Sequence, residues 1–134
     1  MTPPPDGFEP HVRKSPLTDP WEPLYRRRAD DSLQLGLWIA SPHTNSRGFA
    51  HGGLVSALAD NAMGLSCGLG LEAANGLLTV NLALDFLAVA RIGQWLQVEP
   101  TVVKRGRSLC FASALVTADG KPCARASATF QVVS

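Results

Sequence analysis

Hydrophobic positions change their period along the chain, and each period predicts a different secondary structure. Between residues 32 and 40 apolar side chains recur at every second position, which predicts a half-buried β-strand. From Gly52 to about Gly70 the period becomes helical, and four leucines fall within about 60° of one another on a helical projection. These leucines are Leu54, Leu58, Leu65 and Leu69. We therefore predict one long helix with a leucine core stripe, followed by a turn at Asn75-Gly76.

The second half of the chain predicts strands alone. Apolar residues from Leu78 to Phe86 alternate strictly with smaller or polar ones, so one face of this strand is expected to be buried. Three further segments, 95–104, 108–118 and 122–132, are rich in β-forming residues and are separated by turn sequences. A strand, a helix and four antiparallel strands predict an α+β domain with one long helix against one sheet.

The face of the predicted helix away from the leucines consists of small residues around one acid. Gly53, Ser56, Gly64 and Cys67 lie there, with Asp60 in their middle. The helix is long enough to cross a membrane, but an acid at its centre would cost about 2.5–3.5 kcal/mol on insertion. We therefore expect a buried helix of a globular protein and no membrane segment.

The composition is that of one small globular domain. With 134 residues, of which 46% are hydrophobic and 17% charged, the chain can bury one core and is too apolar to be disordered. Residues 1–23 hold seven of the ten prolines and lack the apolar stretch of a signal peptide. We expect them to form a proline-rich arm, extended and partly disordered, before a folded domain at 24–134.

Charge is nearly balanced but unevenly distributed. A net charge of +1 excludes the large basic surface of nucleic-acid-binding proteins. Residues 48–90 contain no Lys or Arg, whereas from Arg91 onward six basic and two acidic residues leave +4. The densest basic stretch, Lys104-Arg105-Gly106-Arg107, is either a solvated turn or a site for an anionic small molecule. Charge alone does not favour one of these two interpretations over the other.

Three cysteines, Cys67, Cys110 and Cys123, lack the spacing of a metal site, and three histidines accompany them. We expect no structural metal and interpret the cysteines as small core residues. Their odd number fits a reducing cytoplasm better than secretion.

Two features at the helix suggest chemistry. Asp60 is a lone carboxylate, which is costly unless it is paired or faces water. It is either a structural side chain or a general base or nucleophile in a cleft. His51-Gly52-Gly53 stands where the helix begins, and helix starts present free N–H groups with partial positive charge. These residues form either a plain tight turn or a site that stabilises a developing oxyanion.

Distance separates the two features within one chain. Asp60 lies seven residues beyond Gly53, which is about 10–11 Å along a helix axis. One reacting carbonyl cannot easily touch both. A shared role therefore predicts a two-fold dimer in which the glycines of one copy face Asp60 of the other.

One stretch of the sequence resembles a known family. It runs from Asn45 to Ala62 and reads NSRGFAHGGLVSALADNA. In its spacing from Asn45 through the two glycines to Asp60 it resembles the hotdog-fold acyl-CoA thioesterases, in particular their PaaI-like (phenylacetate-degradation) branch. The resemblance covers residues 24–133. It implies a hotdog fold, one long central helix wrapped by a curved antiparallel β-sheet, and a homodimer that often pairs into a homotetramer.

The resemblance also implies roles for individual residues. Asp60 matches the catalytic carboxylate, and the backbone N–H of Gly52 matches the oxyanion donor. Asn45 and His51 match residues that position the thioester or the attacking water, and Thr79 falls where a relative has a water-orienting serine. Basic residues near the Arg105–Ser108 turn would bind the CoA nucleotide. The candidates are Lys104, Arg105 and Arg107. CoA is then part of the substrate, and neither a cofactor nor a metal is implied.

These roles imply hydrolysis of an acyl-CoA thioester to the free acid and CoA, with Asp60 as general base or nucleophile. Two alternatives remain: an acyl-CoA hydratase or dehydratase, and a non-catalytic acyl-CoA-binding hotdog protein. The first would use a histidine base at a different position. The presence of both Asp60 and the His51-Gly52-Gly53 turn favours hydrolysis over the second.

Overall fold

The structure, a computed structural model, describes residues 2–72 and 76–133, and this part of the chain forms one α-helix and seven strands. The strands are β1 (Glu9–Pro10), β2 (Tyr25–Ala29), β3 (Ser32–Trp38), β4 (Gly76–Phe86), β5 (Trp95–Arg105), β6 (Leu109–Ala118) and β7 (Lys121–Val133). The helix α1 spans Gly52–Gly68. All five predicted strands and the helix are confirmed, whereas β1 and β2 were not predicted. Asn75, expected in a turn, lies outside the described residues.

The strands form a single antiparallel sheet in the order β1-β2-β3-β5-β6-β7-β4. The helix packs across it, in contact with β3, β4, β5, β6 and β7. Asp119 and Gly120 join β6 to β7 with positive φ angles of 49° and 81°, as a tight hairpin turn requires. The predicted hotdog fold, one helix against a curved antiparallel sheet, is confirmed.

The buried face of α1 differs from the predicted leucine stripe. Its buried residues are Leu54, Val55, Leu58, Ala59, Ala62, Met63, Ser66 and Cys67. Leu65 is half-buried, and Leu69, just beyond the helix, is 37% exposed. Strands β6 and β7 present mostly alanines to the same core, so small side chains on both elements make this part of the contact, whereas β3 and β5 contribute leucines and Val98. Ser66 joins helix to sheet, since its Oγ accepts from the N–H of Leu33 at 2.9 Å.

The cysteines are core residues, as predicted, but two of them are paired. Cys67 of α1 and Cys110 of β6 form a disulfide, and Cys123 is free and buried. Cys67 therefore belongs to the buried face of the helix and not to the small-residue face around Asp60. Spacing could not predict the pair, because the two residues are 43 positions apart.

Strand β4 departs from strict alternation at one residue. Thr79 pairs with Phe130 and Asn81 with Thr129, which leaves Val80 as the extra residue of a β-bulge. The bulge shifts the alternation by one, so that Leu77 packs toward the core before it and Leu82 after it. Thr79 consequently shares the helix-facing side with Leu77, whereas the sequence pattern placed Leu78 and Val80 there.

Residues 2–10 of the N-terminal segment lie against the sheet, to which β1 belongs. Phe8, Tyr25 and Trp95 form a second buried cluster, in which the Phe8 and Trp95 rings are 5.0 Å apart. Because Leu96 belongs to the main core, its neighbour Trp95 places this cluster on the opposite face of the sheet. Beyond β1 the chain turns to the helix side. No helix among the described residues has the length and apolar character needed to cross a membrane.

Candidate active site

Asp60 and Thr79 lie side by side in a cavity of about 530 Å³, here named the Asp60 cavity. The Thr79 hydroxyl donates a hydrogen bond to Asp60 Oδ1 at 2.8 Å. The bulge at Val80 makes this contact possible, because it turns Thr79 toward the helix. Asp60 Oδ2 accepts no hydrogen bond from the described residues. A half-buried carboxylate with one oxygen oriented and the other open to a cavity has the arrangement of a general base or nucleophile.

The walls of the Asp60 cavity come from three parts of the chain. Helix residues from Asp60 to Leu69 form one side, and Leu77 and Phe130 of the sheet form another. Residues 11–15 of the N-terminal segment complete the lining with His11, Arg13, Lys14 and Ser15. Sequence reasoning assigned these residues no role. The adjacent cations of Arg13-Lys14 were a signal, but nothing in the pattern indicated where they fold.

Gly52 lines a second, smaller cavity of about 190 Å³, here named the Gly52 cavity, together with Asn45 and Phe86. Gly52 is the first residue of α1, and its backbone N–H donates to no acceptor within the described residues. The N–H of Gly53, in contrast, donates to Nδ1 of His51 at 2.8 Å. The Gly52 N–H is therefore an available donor at the positive end of the helix, on a residue that lines this cavity.

His51 and Asn45 both shape the backbone around Gly52. His51 is the N-cap of α1, which favours the turn-residue interpretation of its ring. Asn45 Oδ1 accepts from the N–H groups of Arg47 and Phe49, at 2.9 and 3.2 Å, and closes the loop before the helix. Its side chain thereby has a structural task, while its position in the wall of the Gly52 cavity keeps it beside the candidate oxyanion donor.

The two cavities have no lining residue in common. Asp60 and Thr79 line one, and Gly52 and Asn45 line the other. A single copy of the chain therefore does not bring its candidate carboxylate and its candidate oxyanion donor to one substrate, as the helix geometry predicts.

Of the three basic residues at the turn between β5 and β6, Arg105 is engaged in polar contacts within the described part of the chain, whereas Lys104 and Arg107 are not. Arg105 forms an ion pair with Asp31 at 2.6 Å and donates to the carbonyl oxygen of Ser66 at 2.7 Å, at the end of the helix. Its hydrogen bond holds the pKa of the Asp31 carboxyl below its usual value. These contacts favour a structural role for Arg105 over nucleotide binding. Lys104 and Arg107 are exposed and have no ion pair among the described residues.

The other reactive side chains in the described part of the chain do not form a second candidate active site. Cys123 lines the Gly52 cavity, but burial raises the pKa of its thiol, which keeps it protonated and a poor nucleophile at neutral pH. Within the described ranges, no three His, Cys, Asp or Glu side chains are grouped closely enough to hold a metal ion.

Comparison with known proteins assigns the family. The model of the thioesterase superfamily matches residues 47–124, a range that contains Gly52, Asp60 and Thr79. The chain belongs to the thioesterase superfamily. It is a thioester hydrolase, and the resemblance seen in the sequence is confirmed.

Individual relatives extend this assignment. The chain is 41% identical over 129 residues to the Pseudomonas aeruginosa protein named "Putative esterase PA0474", covering 96% of each. It is 30% identical over 91 residues to mouse acyl-coenzyme A thioesterase 13, covering 66% of this chain and 63% of that protein. The crystal structure of a phenylacetic acid degradation-related thioesterase from Ralstonia eutropha superposes with a TM-score of 0.79 at 27% identity, covering 89% of this chain and 92% of the other.

Proposed function

We propose that this thioesterase hydrolyses an acyl-CoA thioester to the free acid and CoA in a site formed by two copies of the chain. Asp60 and Thr79 of one subunit would face Gly52 and Asn45 of its partner. The similarity to acyl-coenzyme A thioesterase 13 supports the substrate class. The separation of the two cavities within one copy supports the shared site.

The edge strand β4 carries this proposal. It is the last strand of the sheet, so within the described residues one of its sides has no neighbouring strand, and such an edge pairs readily with another chain. Its apolar residues Leu78, Val80 and Phe86 are 56%, 59% and 57% exposed. A second copy that pairs with β4 would continue the sheet and cover these side chains.

Antiparallel pairing of two β4 strands also brings the half-sites together. Thr79 lies near the beginning of β4 beside Asp60, and Phe86 is its last residue. The Phe86 ring packs against Gly52, so closely that a Cβ added to the glycine would be 3.3 Å from the ring. Because two-fold antiparallel pairing sets the beginning of one strand against the end of the other, Asp60 approaches the Gly52 cavity of the partner.

The chemistry follows from these positions. The Gly52 N–H would polarise the thioester carbonyl and stabilise the negative charge that develops on its oxygen. Asp60, oriented by Thr79, would either remove a proton from the attacking water or attack the carbonyl carbon itself. The carbon–sulfur bond then breaks, the acyl group gains the attacking oxygen, and the thiolate leaves and is protonated as CoA. In the direct-attack route the acyl group is first held as an anhydride on Asp60, and a water molecule then hydrolyses this anhydride to the free acid and restores the carboxylate. Lys104 and Arg107 are the candidates for the CoA phosphates, while Asn45 and His51 hold the loop and the helix start.

The direct test compares Asp60→Asn with the wild type in a thiol-release assay on a panel of acyl-CoA thioesters. Loss of a general base costs a factor of about 10²–10⁴ in kcat, and we expect a loss in that range. Asp30→Asn changes an exposed acid at the turn between β2 and β3 that lines neither cavity, and this matched control should retain activity. Unchanged turnover by a folded Asp60→Asn variant would overturn the proposal. Hydration of an enoyl-CoA without thiol release would favour the hydratase alternative.

A further inference from the structure

The N-terminal segment contributes cations to the Asp60 cavity that the reaction itself does not use. Arg13 and Lys14 both line the cavity. Lys14 is paired with Glu22, at 3.0 Å between Nζ and Oε2. Arg13 is exposed and makes neither an ion pair nor a hydrogen bond within the described residues. The cavity wall thus holds one guanidinium whose charge is not neutralised by contact.

A second polar group of the same segment also lacks a partner. His11 is 5% exposed and lines the cavity, yet its Nδ1 is buried with no hydrogen-bond partner among the described residues. Buried polar atoms in folded proteins are nearly always hydrogen-bonded, so an unpartnered one at a cavity wall indicates a site that a polar ligand group or water completes. Arg13 and His11 are two positions apart and belong to one side of the cavity.

Apolar side chains of the helix and the sheet form another wall of the Asp60 cavity. Leu65, Leu69, Leu77 and Phe130 contribute to it, next to Asp60. The acidic residues of the lining are Asp60 itself and Glu72, neither of which forms an ion pair with Arg13. A ligand that suits these walls has an apolar body and an anionic end that reaches Arg13.

We propose that the Asp60 cavity binds the acyl part of the substrate and that Arg13 selects acyl groups with a carboxylate at their far end. The preferred substrates are then monothioesters of dicarboxylic acids. This inference rests on the proposed function, because Asp60 must stand at the thioester carbonyl for the acyl chain to extend along the apolar wall. An N-terminal segment that sequence reasoning left without a role becomes the specificity determinant.

The experiment measures kcat/KM for matched pairs of thioesters that differ only in the terminal group. Adipoyl-CoA and hexanoyl-CoA form one pair, and suberoyl-CoA and octanoyl-CoA form a longer one. We expect Arg13→Ala to lower the ratio of dicarboxylic to monocarboxylic kcat/KM about two- to fivefold, the effect of one exposed ion pair. Arg13→Glu should lower it further, because attraction is replaced by repulsion. Lys121→Ala, which removes an exposed cation at the β6–β7 turn, is the control and should leave both rates unchanged.

Each other outcome overturns the proposal in a recognisable way. A ratio that stays constant in Arg13→Glu shows that Arg13 does not contact the acyl end. An equal loss with both members of a pair assigns Arg13 to the phosphates of CoA instead. If the wild type hydrolyses both members and depends on Asp60, the proposed function survives either result. If it hydrolyses no member of either pair, the proposed function fails and this inference fails with it.

Discussion

Replacing Gly52 with proline removes one backbone N–H from the start of α1 and should leave the helix intact. Gly52 is the first helical residue, a position at which proline is well tolerated because the N–H has no partner inside the helix. His51 before it is extended, with φ −69° and ψ 136°, which is the conformation favoured before proline. The substitution therefore separates the chemical role of this N–H from its structural role.

The magnitude follows from what the N–H is proposed to do. Removal of one oxyanion donor costs a factor of about 10²–10³ in kcat. Gly52→Ala is the matched control, since it keeps the N–H and adds a Cβ at 3.3 Å from the Phe86 ring. Alanine requires a shift of only a few tenths of an ångström at this contact, so it should cost much less than proline.

The assay is thiol release at saturating acyl-CoA, combined with thermal unfolding of both variants. We expect Gly52→Pro to unfold near the wild-type temperature while its kcat falls by two to three orders of magnitude, or about 2.7–4 kcal/mol in activation free energy. A folded proline variant with the same kcat as the alanine variant would refute the oxyanion role of Gly52.

Three further predictions concern Thr79, His11 and β4. Thr79→Val should lower kcat/KM about tenfold, because it removes a hydrogen bond to a carboxylate, whereas Thr79→Ser should retain activity. Equal losses in the two variants would exclude a role for the hydroxyl. Burial lowers the pKa of His11 from the ordinary value of 6.5, and the nearby charge of Arg26 lowers it further. As the pH falls, His11 is therefore protonated in the unfolded chain before it is protonated in the folded protein. The free energy of unfolding should therefore decrease below about pH 6.5, and His11→Asn should weaken that decrease in denaturant titrations at pH 5 and pH 7. Leu78→Lys should convert the proposed dimer to monomers in light scattering, whereas Val103→Lys, on an interior strand, should not.

The sequence predicted most of the fold because its signals there are local. The strand ending near Ile39, the helix beginning at Gly52 and the Asp119-Gly120 turn each depend on neighbouring residues. The leucine stripe was partly wrong, because Ala62 and Met63 fill the helix–sheet contact while Leu69 lies outside the helix. Leucine is a good indicator of burial in general, but close packing against the alanines of β6 and β7 favours small partners on the helix.

Features that depend on distant residues could not be predicted. The bulge at Val80 arises from the register between β4 and β7, and it decides that Thr79 points to Asp60. The family resemblance named Thr79 without giving this reason. The placement of residues 11–15 beside the helix and the pairing of Cys67 with Cys110 likewise depend on tertiary structure, on which local patterns carry no information.

The most direct test of the shared site mixes two inactive variants. Asp60→Asn lacks the carboxylate and Gly52→Pro lacks the oxyanion donor, so each homodimer has two defective sites. In a mixed dimer one site carries both defects and the other carries neither. After co-expression and purification of the mixed dimer through two different tags, we predict about half of the wild-type kcat per dimer, since one of two sites is intact. A purified mixed dimer with no more activity than its two parents would contradict a site built from Asp60 of one subunit and Gly52 of the other.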